Sequence, residues 1–328
     1  MPFTPLIPGL LAAAVLAQAP ALPPSATAPA TPAPAPGAAP APAPAPGAAQ
    51  GQPVAPFVPQ GEFKTADDLL ITLEKADAGL KTFDAEIMYD RRFALQGDEH
   101  IRTGKIFFSS EPDPAQGAGA VGGASRKRTF AVKFDHLVID GKQSDEPQTF
   151  IFDGQWFIEK KDAEKRFTKH QIALPGQHAD PLKLGEGPFP IPIGQKRDDI
   201  VARYENRLAD VNESLEQEEQ SLRDFVQGCT QLVLNARGSE DDLREVRLWY
   251  KRDAAQSNRL LPRMARTINM QGDTSIVQLV GLKVNDPGFP ADAVSIAEPG
   301  AADGWNVQVE LKRGAPAQAE VPPANPAQ

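Results

Sequence analysis

The chain is short of the groups that carry chemistry. It has one cysteine, Cys229, and four histidines in 328 residues, and no Asp, Glu, Lys or Arg precedes Glu62. A single cysteine excludes an internal disulfide, and none stands at the end of the N-terminal apolar run to carry a lipid anchor. The lone thiol reads as a small buried hydrophobe. There is no HExxH and no paired CxxC; His170, His178 and Asp180 have spacings that match no compact metal site. A GxSxG elbow, a Walker loop and a set of nucleophile, base and orienting group are also missing. The residues Gly117, Gly119 and Gly122 do spell GxGxxG, but they follow "EPDPAQ" and lead into "ASRKRTFAVKF", a strand. A dinucleotide site needs that motif between a strand and a helix N-terminus, so a hairpin loop is the better reading. The carboxylates, Asp84 with Glu86 or Asp241 with Asp242, fall where a solvated strand face or turn puts them. No catalytic residue, cofactor or metal ligand is expected, and no feature selects a carboxylate or histidine for a hydrolase.

Charge narrows the partners. The formal net charge is -9, which repels phosphate backbones, and the one basic cluster, Arg126-Lys127-Arg128, is short. Nucleic acid is not an expected partner.

What is present falls into four parts. Leu6 to Ala21, "LIPGLLAAAVLAQAPA", is an apolar run of signal-peptide length with small residues suited to cleavage at Ala19 or Ala21, although no Lys or Arg precedes it. It is short for a membrane span, which needs about 20 apolar residues. Residues 1–21 are therefore expected to export the protein without anchoring it. Residues 22–61 are a Pro/Ala-rich tether, residues 62–313 the folded domain, and residues 314–328 a second Pro/Ala-rich tail.

The domain opens with "TADDLLITLEKADAGL", which predicts an amphipathic helix. Thr65 caps it, Asp67 and Asp68 lie in its first turn, and Leu69, Leu73, Ala76 and Leu80 form one stripe. Strands follow. Phe83, Ala85, Ile87 and Tyr89 alternate with polar positions, as do Phe130, Val132 and Phe134, and Val246, Leu248 and Tyr250; Ile276, Val280, Leu282 and Val284 are placed on one side of a later strand. Turns at Gln96-Gly97-Asp98 and Gln271-Gly272-Asp273 link such strands, which argues an antiparallel meander with one apolar face. That face needs a cover. The opening helix, "KRDDIVARY" from Lys196 to Tyr204 and the proline-rich "LGEGPFPIPI" from Leu184 to Ile193 are available. Asn206 to Val226 suits a helix or, in its first part, a strand.

The hairpin "FIFDGQWFIEKK" is apolar on both faces. With Asp153-Gly154 as its loop, Ile151, Trp156 and Ile158 share one face, and Phe150, Phe152 and Phe157 the other. Either both faces are packed, or one looks into a cavity. In "GEGPFPIPIG", Phe189, Ile191 and Ile193 alternate with prolines that lack sheet donors. Such a segment either plugs the core or closes a cavity as a lid.

Taken together, the exported N-terminus, the helix ending "LEKADAGLKTF", the "GKIFFSSEP" strand, the Asp-Gly turn before an aromatic strand in "FIFDGQWFIEKKDAEKRFTKHQI", the "GPFPIPIG" loop, "EVRLWYKRDAAQSNRLLPRMART" and "GWNVQVELK" resemble the periplasmic outer-membrane lipoprotein carriers, the LolA/LolB-like family. The resemblance covers roughly residues 65 to 313 and is one of pattern. It implies an α+β, mainly β fold, an incomplete antiparallel half-barrel covered by helices and a lid loop. It also implies a non-catalytic periplasmic carrier that holds lipid or lipoprotein acyl chains and delivers them towards the outer membrane. Inner- and outer-membrane lipoprotein-sorting proteins would be its docking partners, and the carrier itself a monomer. Candidates to line the implied cavity are Phe83, Ile87, Phe107 and Phe130 on the strands, Ile151, Trp156 and Ile158 on the hairpin, and Phe189, Ile191 and Ile193 in the lid loop. Because carriers of this kind latch the lid with an arginine, Arg91, Arg92 and Arg102 are candidates for that role. The sequence departs from the family in its tether, its Gly-rich insertion at 117–123 and its acidic stretch at 213–219. A sensory or scaffold module that binds a protein partner on the same fold is the alternative.

Overall fold

A computed structural model describes residues 61–77, 79–112, 126–174, 184, 189, 193, 196–217, 219–238 and 242–312. The expected signal peptide, nearly all of the tether, the C-terminal tail, the GxGxxG segment, Ile191, His178 and Asp180 lie outside the described residues.

Among the described residues the domain is built on one sheet of twelve strands. In chain order these are β1 (Thr82–Arg92), β2 (Glu99–Pro112), β3 (Arg126–Ile139), β4 (Lys142–Phe152), β5 (Trp156–Lys161), β6 (Arg166–Gln171), β7 (Tyr204–Ala209), β8 (Thr230–Ala236), β9 (Leu243–Asp253), β10 (Arg259–Asn269), β11 (Thr274–Val284) and β12 (Asn306–Glu310). Their spatial order is β12-β6-β5-β4-β3-β2-β1-β11-β10-β9-β8-β7. The sheet is two antiparallel meanders, β1 to β6 and β7 to β11, joined where β1 pairs with β11. Its end strands, β12 and β7, do not pair with each other, so it stays open instead of closing into a barrel. Only β12 runs parallel to its neighbour, β6. The expected mainly β architecture with few helices is the one observed.

Among the described residues three α-helices accompany the sheet: α1 (Ala66–Asp77), α2 (Arg197–Arg203) and α3 (Gln220–Phe225). α1 starts at Thr65 because its hydroxyl accepts from the Asp68 amide at 3.1 Å, while the Asp68 carboxylate accepts from the Thr65 amide at 3.2 Å. This reciprocal cap satisfies two donors that a helix start leaves open. Asn206 to Val226, which suits a helix or, in its first part, a strand, divides into the rest of β7, turns through Asn212 and the short α3.

Residue parity sorts the side chains into two faces. On the first, Phe83, Ala85, Ile87, Phe108, Phe130, Val132, Phe134, Phe152, Val277 and Leu279 form one buried cluster with Phe189 and Ile193. Pairing of Ala265 with Val277 carries the same face across β10, where Phe63, Leu69 and Leu70 of the α1 region, Ile200 of α2 and Leu184 pack against Leu232, Leu234, Val246 and Leu248. The opposite face is not bare, contrary to the expectation of a single apolar face. Leu215, Leu222 and Val226 cover Trp249, Met264 and Ile276, so Trp249 is fully buried. Farther along, Val294, Ile296, Trp305 and Val307 of the C-terminal segment cover Ala131, Ile151, Ile158 and Phe167.

Strand β11 corrects a second expectation. Ile276 packs on the opposite face and Val280 is exposed, while Val277, Leu279, Leu282 and Val284 point to the first face. The cause is an extra residue: between Asp84 and Glu86 of β1, β11 advances from Lys283 to Val280, and Gly281 takes a φ of +63°. A bulge of this kind reverses the parity of everything beyond it.

The hairpin turn also lies one residue later than expected. Phe152 pairs with Phe157, and the Asp153 amide donates to the Trp156 carbonyl, so Gly154 and Gln155 are the central residues, with Gly154 at φ +96°. The Asp153 carboxylate accepts from the amides of Gln155 and Trp156 at 3.0 and 2.7 Å. This moves the cross-strand partner by two residues, which preserves parity, so the expected faces stand.

Two predictions follow from packing. A Cβ on Gly104 would lie 2.0 Å from the Lys133 carbonyl oxygen, at the point where the β2–β3 register shifts. Gly104→Ala should therefore cost about 1–3 kcal/mol, read as a lower urea midpoint; an unchanged midpoint would contradict the close approach. Cys229 packs beside Val226 and Trp249, and burial raises its thiol pKa to about 11. The protonated thiol is the form the fold favours, so its contribution is complete below about pH 9 and is lost as pH rises through about 11. At pH 8 a maleimide should label the native thiol roughly a hundredfold more slowly than the urea-unfolded chain; equal rates would refute the shift.

Candidate functional site

The first face changes character along its strands. Towards the β1 start it is packed with aromatic and aliphatic side chains, Phe83 stacking on Phe108 at 5.2 Å and Phe130 on Phe152 at 5.9 Å. Towards the other end of β1 the same parity brings polar residues inward in cross-strand pairs. Tyr89 lies opposite Arg102, Arg91 opposite His100, Phe134 opposite Gln148 and Phe150 opposite Glu159. These eight residues, with Phe93 and Phe189, line a cavity of about 350 Å³, within the range of small-molecule sites, roughly 300–1,000 Å³.

Phe189, from the proline-rich segment, forms one wall. Its ring meets those of Tyr89, Phe134 and Phe150 edge-on at 5.5, 5.8 and 5.3 Å. Tyr89 and Phe134 are 6.2 Å apart, and Phe150 stacks on Phe157 at 5.9 Å. Edge and offset contacts of this kind hold aromatic walls in fixed orientations. Tyr89 also shares a 3.3 Å hydrogen bond with Ser275, which fixes its ring from the β11 side.

The polar wall is unevenly satisfied. Glu159 accepts from the Gln148 amide at 2.6 Å and lies 3.5 Å from the Lys161 ammonium. Arg91 lies over the Phe93 ring at 4.5 Å and 3.9 Å from Asp273. Arg102 is less well partnered: its nearest carboxylate, Glu146, is 4.0 Å away, and its Nη1 is buried without a hydrogen-bond partner among the described residues. Burial pushes the Arg102 pKa down, against the pull of Glu146 and Glu159, yet an arginine keeps its charge in a protein.

The expected site residues divide. Phe83, Ile87 and Phe130 belong to the cluster that floors the first face, with Phe189 and Ile193 packed on it. Phe107, Ile151, Trp156 and Ile158 are on the opposite face, in the cluster under the C-terminal segment. The Phe157 side of the hairpin, not the Trp156 side, borders the cavity. Of the three arginines, Arg91 and Arg102 line it. Arg92 has the other parity, and it is tied to Asp90, Glu99 and Glu219 at 2.9, 3.0 and 2.5 Å. Sequence reasoning missed Tyr89, Phe134 and Phe150 as cavity walls, and His100, Gln148 and Glu159 altogether. The available signal was the appearance of Arg91 and Gln148 at strand positions in phase with buried aromatics. Among the described residues no group of three or more His, Cys, Asp or Glu could hold a metal ion. His170 makes a 2.9 Å contact with Glu310 across β6 and β12.

No family model matches the chain, and no curated protein does. Solved structures similar to it include three proteins from different bacteria. An uncharacterized conserved protein from Thermus thermophilus is 12% identical, and the match covers 75% of this chain and 99% of that one with a TM-score of 0.37. For a putative outer membrane lipoprotein-sorting protein domain from Vibrio parahaemolyticus the values are 10%, 70%, 95% and 0.34. For a LolA superfamily protein from Nitrosomonas europaea they are 12%, 70%, 98% and 0.22.

One consequence is measurable on the free protein. Phe189→Ala removes a buried ring that touches three others and should lower unfolding stability by about 3–5 kcal/mol, read in urea. A loss under about 1 kcal/mol would mean that this residue does not wall the cavity in solution.

Proposed function

We propose that the protein is a non-catalytic carrier that binds acyl chains of lipids or lipoproteins in the cavity beside Phe189 and transports them through the periplasm towards the outer membrane. The observation that carries this reading is an aromatic-walled cavity of about 350 Å³ on one face of an open sheet. Each methylene moved from water into such a place is worth about 0.8 kcal/mol, so binding an acyl chain requires apolar area and an opening, not a reactive group. The floor beneath the cavity is filled by Phe83, Ile87, Phe108 and Phe130. A long chain would therefore enter by displacing Phe189 and Ile193, the side chains that the proline-rich segment sets into that cluster, and this segment acts as the lid. Export by residues 1–21, release as a monomer, and docking to lipoprotein-sorting proteins at the two membranes belong to the same proposal. No helix among the described residues is long and apolar enough to cross a membrane.

The test is native mass spectrometry of the purified full chain together with titration of a fluorescent acyl probe. Co-purifying lipid and saturable probe uptake are expected. Absence of both, with a stoichiometric protein partner recovered from lipid-free material, would replace the carrier by the scaffold reading. The face is tested separately. Gln148→Trp, which fills the cavity, should weaken the probe by about tenfold or more, a loss of at least 1.4 kcal/mol. Trp156→Ala, on the opposite face, should leave the affinity within about twofold. The reverse pattern would place binding on the Trp156 side.

A further inference from the structure

We infer that the cavity selects amphiphiles with an anionic head, a carboxylate or a phosphate, and that Arg102 receives that head. The inference rests on the carrier reading and specifies its ligand. Several described side-chain atoms are buried without a partner, and of these only Arg102 Nη1 belongs to a residue that lines the cavity. Buried polar groups are normally satisfied, and a charged one left open costs more than a neutral one. The same sheet shows what a satisfied guanidinium looks like. Arg247, buried on the opposite face, is held by Glu245 and Glu213 at 2.7 and 3.0 Å. For Arg102 the nearest carboxylate stays at 4.0 Å from Nη2, and Nη1 remains for an acceptor arriving in the cavity.

The surroundings favour an anion over a neutral acceptor. Arg91 and His100 stand opposite each other on β1 and β2, two residues from the Tyr89–Arg102 pair, and all four residues line the cavity. The one carboxylate in the lining, Glu159, is engaged by Gln148 and Lys161. Asp273 and Glu146 approach Arg91 and Arg102 from outside the lining, at 3.9 and 4.0 Å. An anionic head bound by Arg102 leaves its alkyl chain against Tyr89, Phe134, Phe150 and Phe189, the apolar walls of the same cavity. A guanidinium also matches carboxylate and phosphate oxygens with paired donors.

Isothermal titration of the full chain with octanol, octanoate and octyl phosphate separates head from chain. At least one of the anions should bind about tenfold or more tightly than octanol, as a charge-assisted hydrogen bond requires; the tighter anion identifies carboxylate or phosphate as the head. In Arg102→Gln this preference should collapse to within about threefold with octanol binding unchanged, and Arg102→Lys should retain part of it. Equal binding of all three compounds by the unaltered protein overturns the head-group assignment and leaves the carrier reading standing. So does an anion preference that survives in a folded Arg102→Gln. Arg102-dependent binding of an anion without binding of octanol supports the head site and counts against the acyl carrier. Binding of none of the three overturns both.

Discussion

The structure depends on the burial of both faces of an open sheet. A closed barrel hides its inner face within itself, whereas twelve strands that end at β12 and β7, which do not pair with each other, leave two surfaces to cover. Apolar residues stand on both: Leu248 and Trp249 are consecutive, and each is almost fully buried, one under the helices and one under the segment after Asp210. The helices and the segments packed on the sheet meet this demand. Helices α1 and α2 and the residues Leu184, Phe189 and Ile193 take one face; Leu215 to Val226 and Val294 to Val307 take the other. The second pair of covers needs anchors as well as apolar contact. The indole of Trp249 donates to the Val211 carbonyl at 2.8 Å, and Arg92 reaches Glu219 across the same interface.

Local patterns were legible wherever one residue decides one geometry. Thr65, with Asp67 and Asp68 in the first turn, predicts the start of α1, and the glycines at 97 and 272 adopt the positive φ that their turns need. The faces of the β4–β5 hairpin were legible too, because a two-residue shift in partner leaves parity intact. Parity was lost at β11, where Gly281 inserts one residue. A bulge is a property of two strands together, and the run "SIVQLVGLKV" by itself shows only a glycine. The burial of Trp249 was hidden for a similar reason. Its cover, Leu215, Leu222 and Val226, comes from a stretch whose spacing suits a helix, but which folds mostly as turns before the short α3.

The cavity was the least legible part because its walls are far apart in sequence and meet through register. Arg102, Gln148 and Glu159 sit on three strands with unremarkable local patterns. Only the cross-strand pairs Tyr89–Arg102, Phe134–Gln148 and Phe150–Glu159, which lie in successive rows of the sheet, bring them around one cavity. The same pairings explain the division of the hairpin. Ile151 and Ile158 face each other under Trp305 and Val307, and Phe152 and Phe157 face the interior. Apolar content on both faces therefore had two causes, a packed outer cover and a walled inner cavity, and composition does not tell them apart.

Placing charge at one end of an apolar face has a physical consequence for any occupant. An uncharged side chain at position 102 would avoid the desolvation that lowers the guanidinium pKa, and a well-packed hydrophobe would in general be no less stable. A ring-lined wall beside a cationic wall instead gives the space a direction. An apolar molecule gains equally in either orientation, whereas one with a polar head gains only with the head towards Arg91, His100 and Arg102 and the tail towards Phe150 and Phe189. Orientation of that kind costs the free protein stability and returns it on binding, so an empty cavity of this composition is less stable than a filled one by the free energy of the ligand it fits.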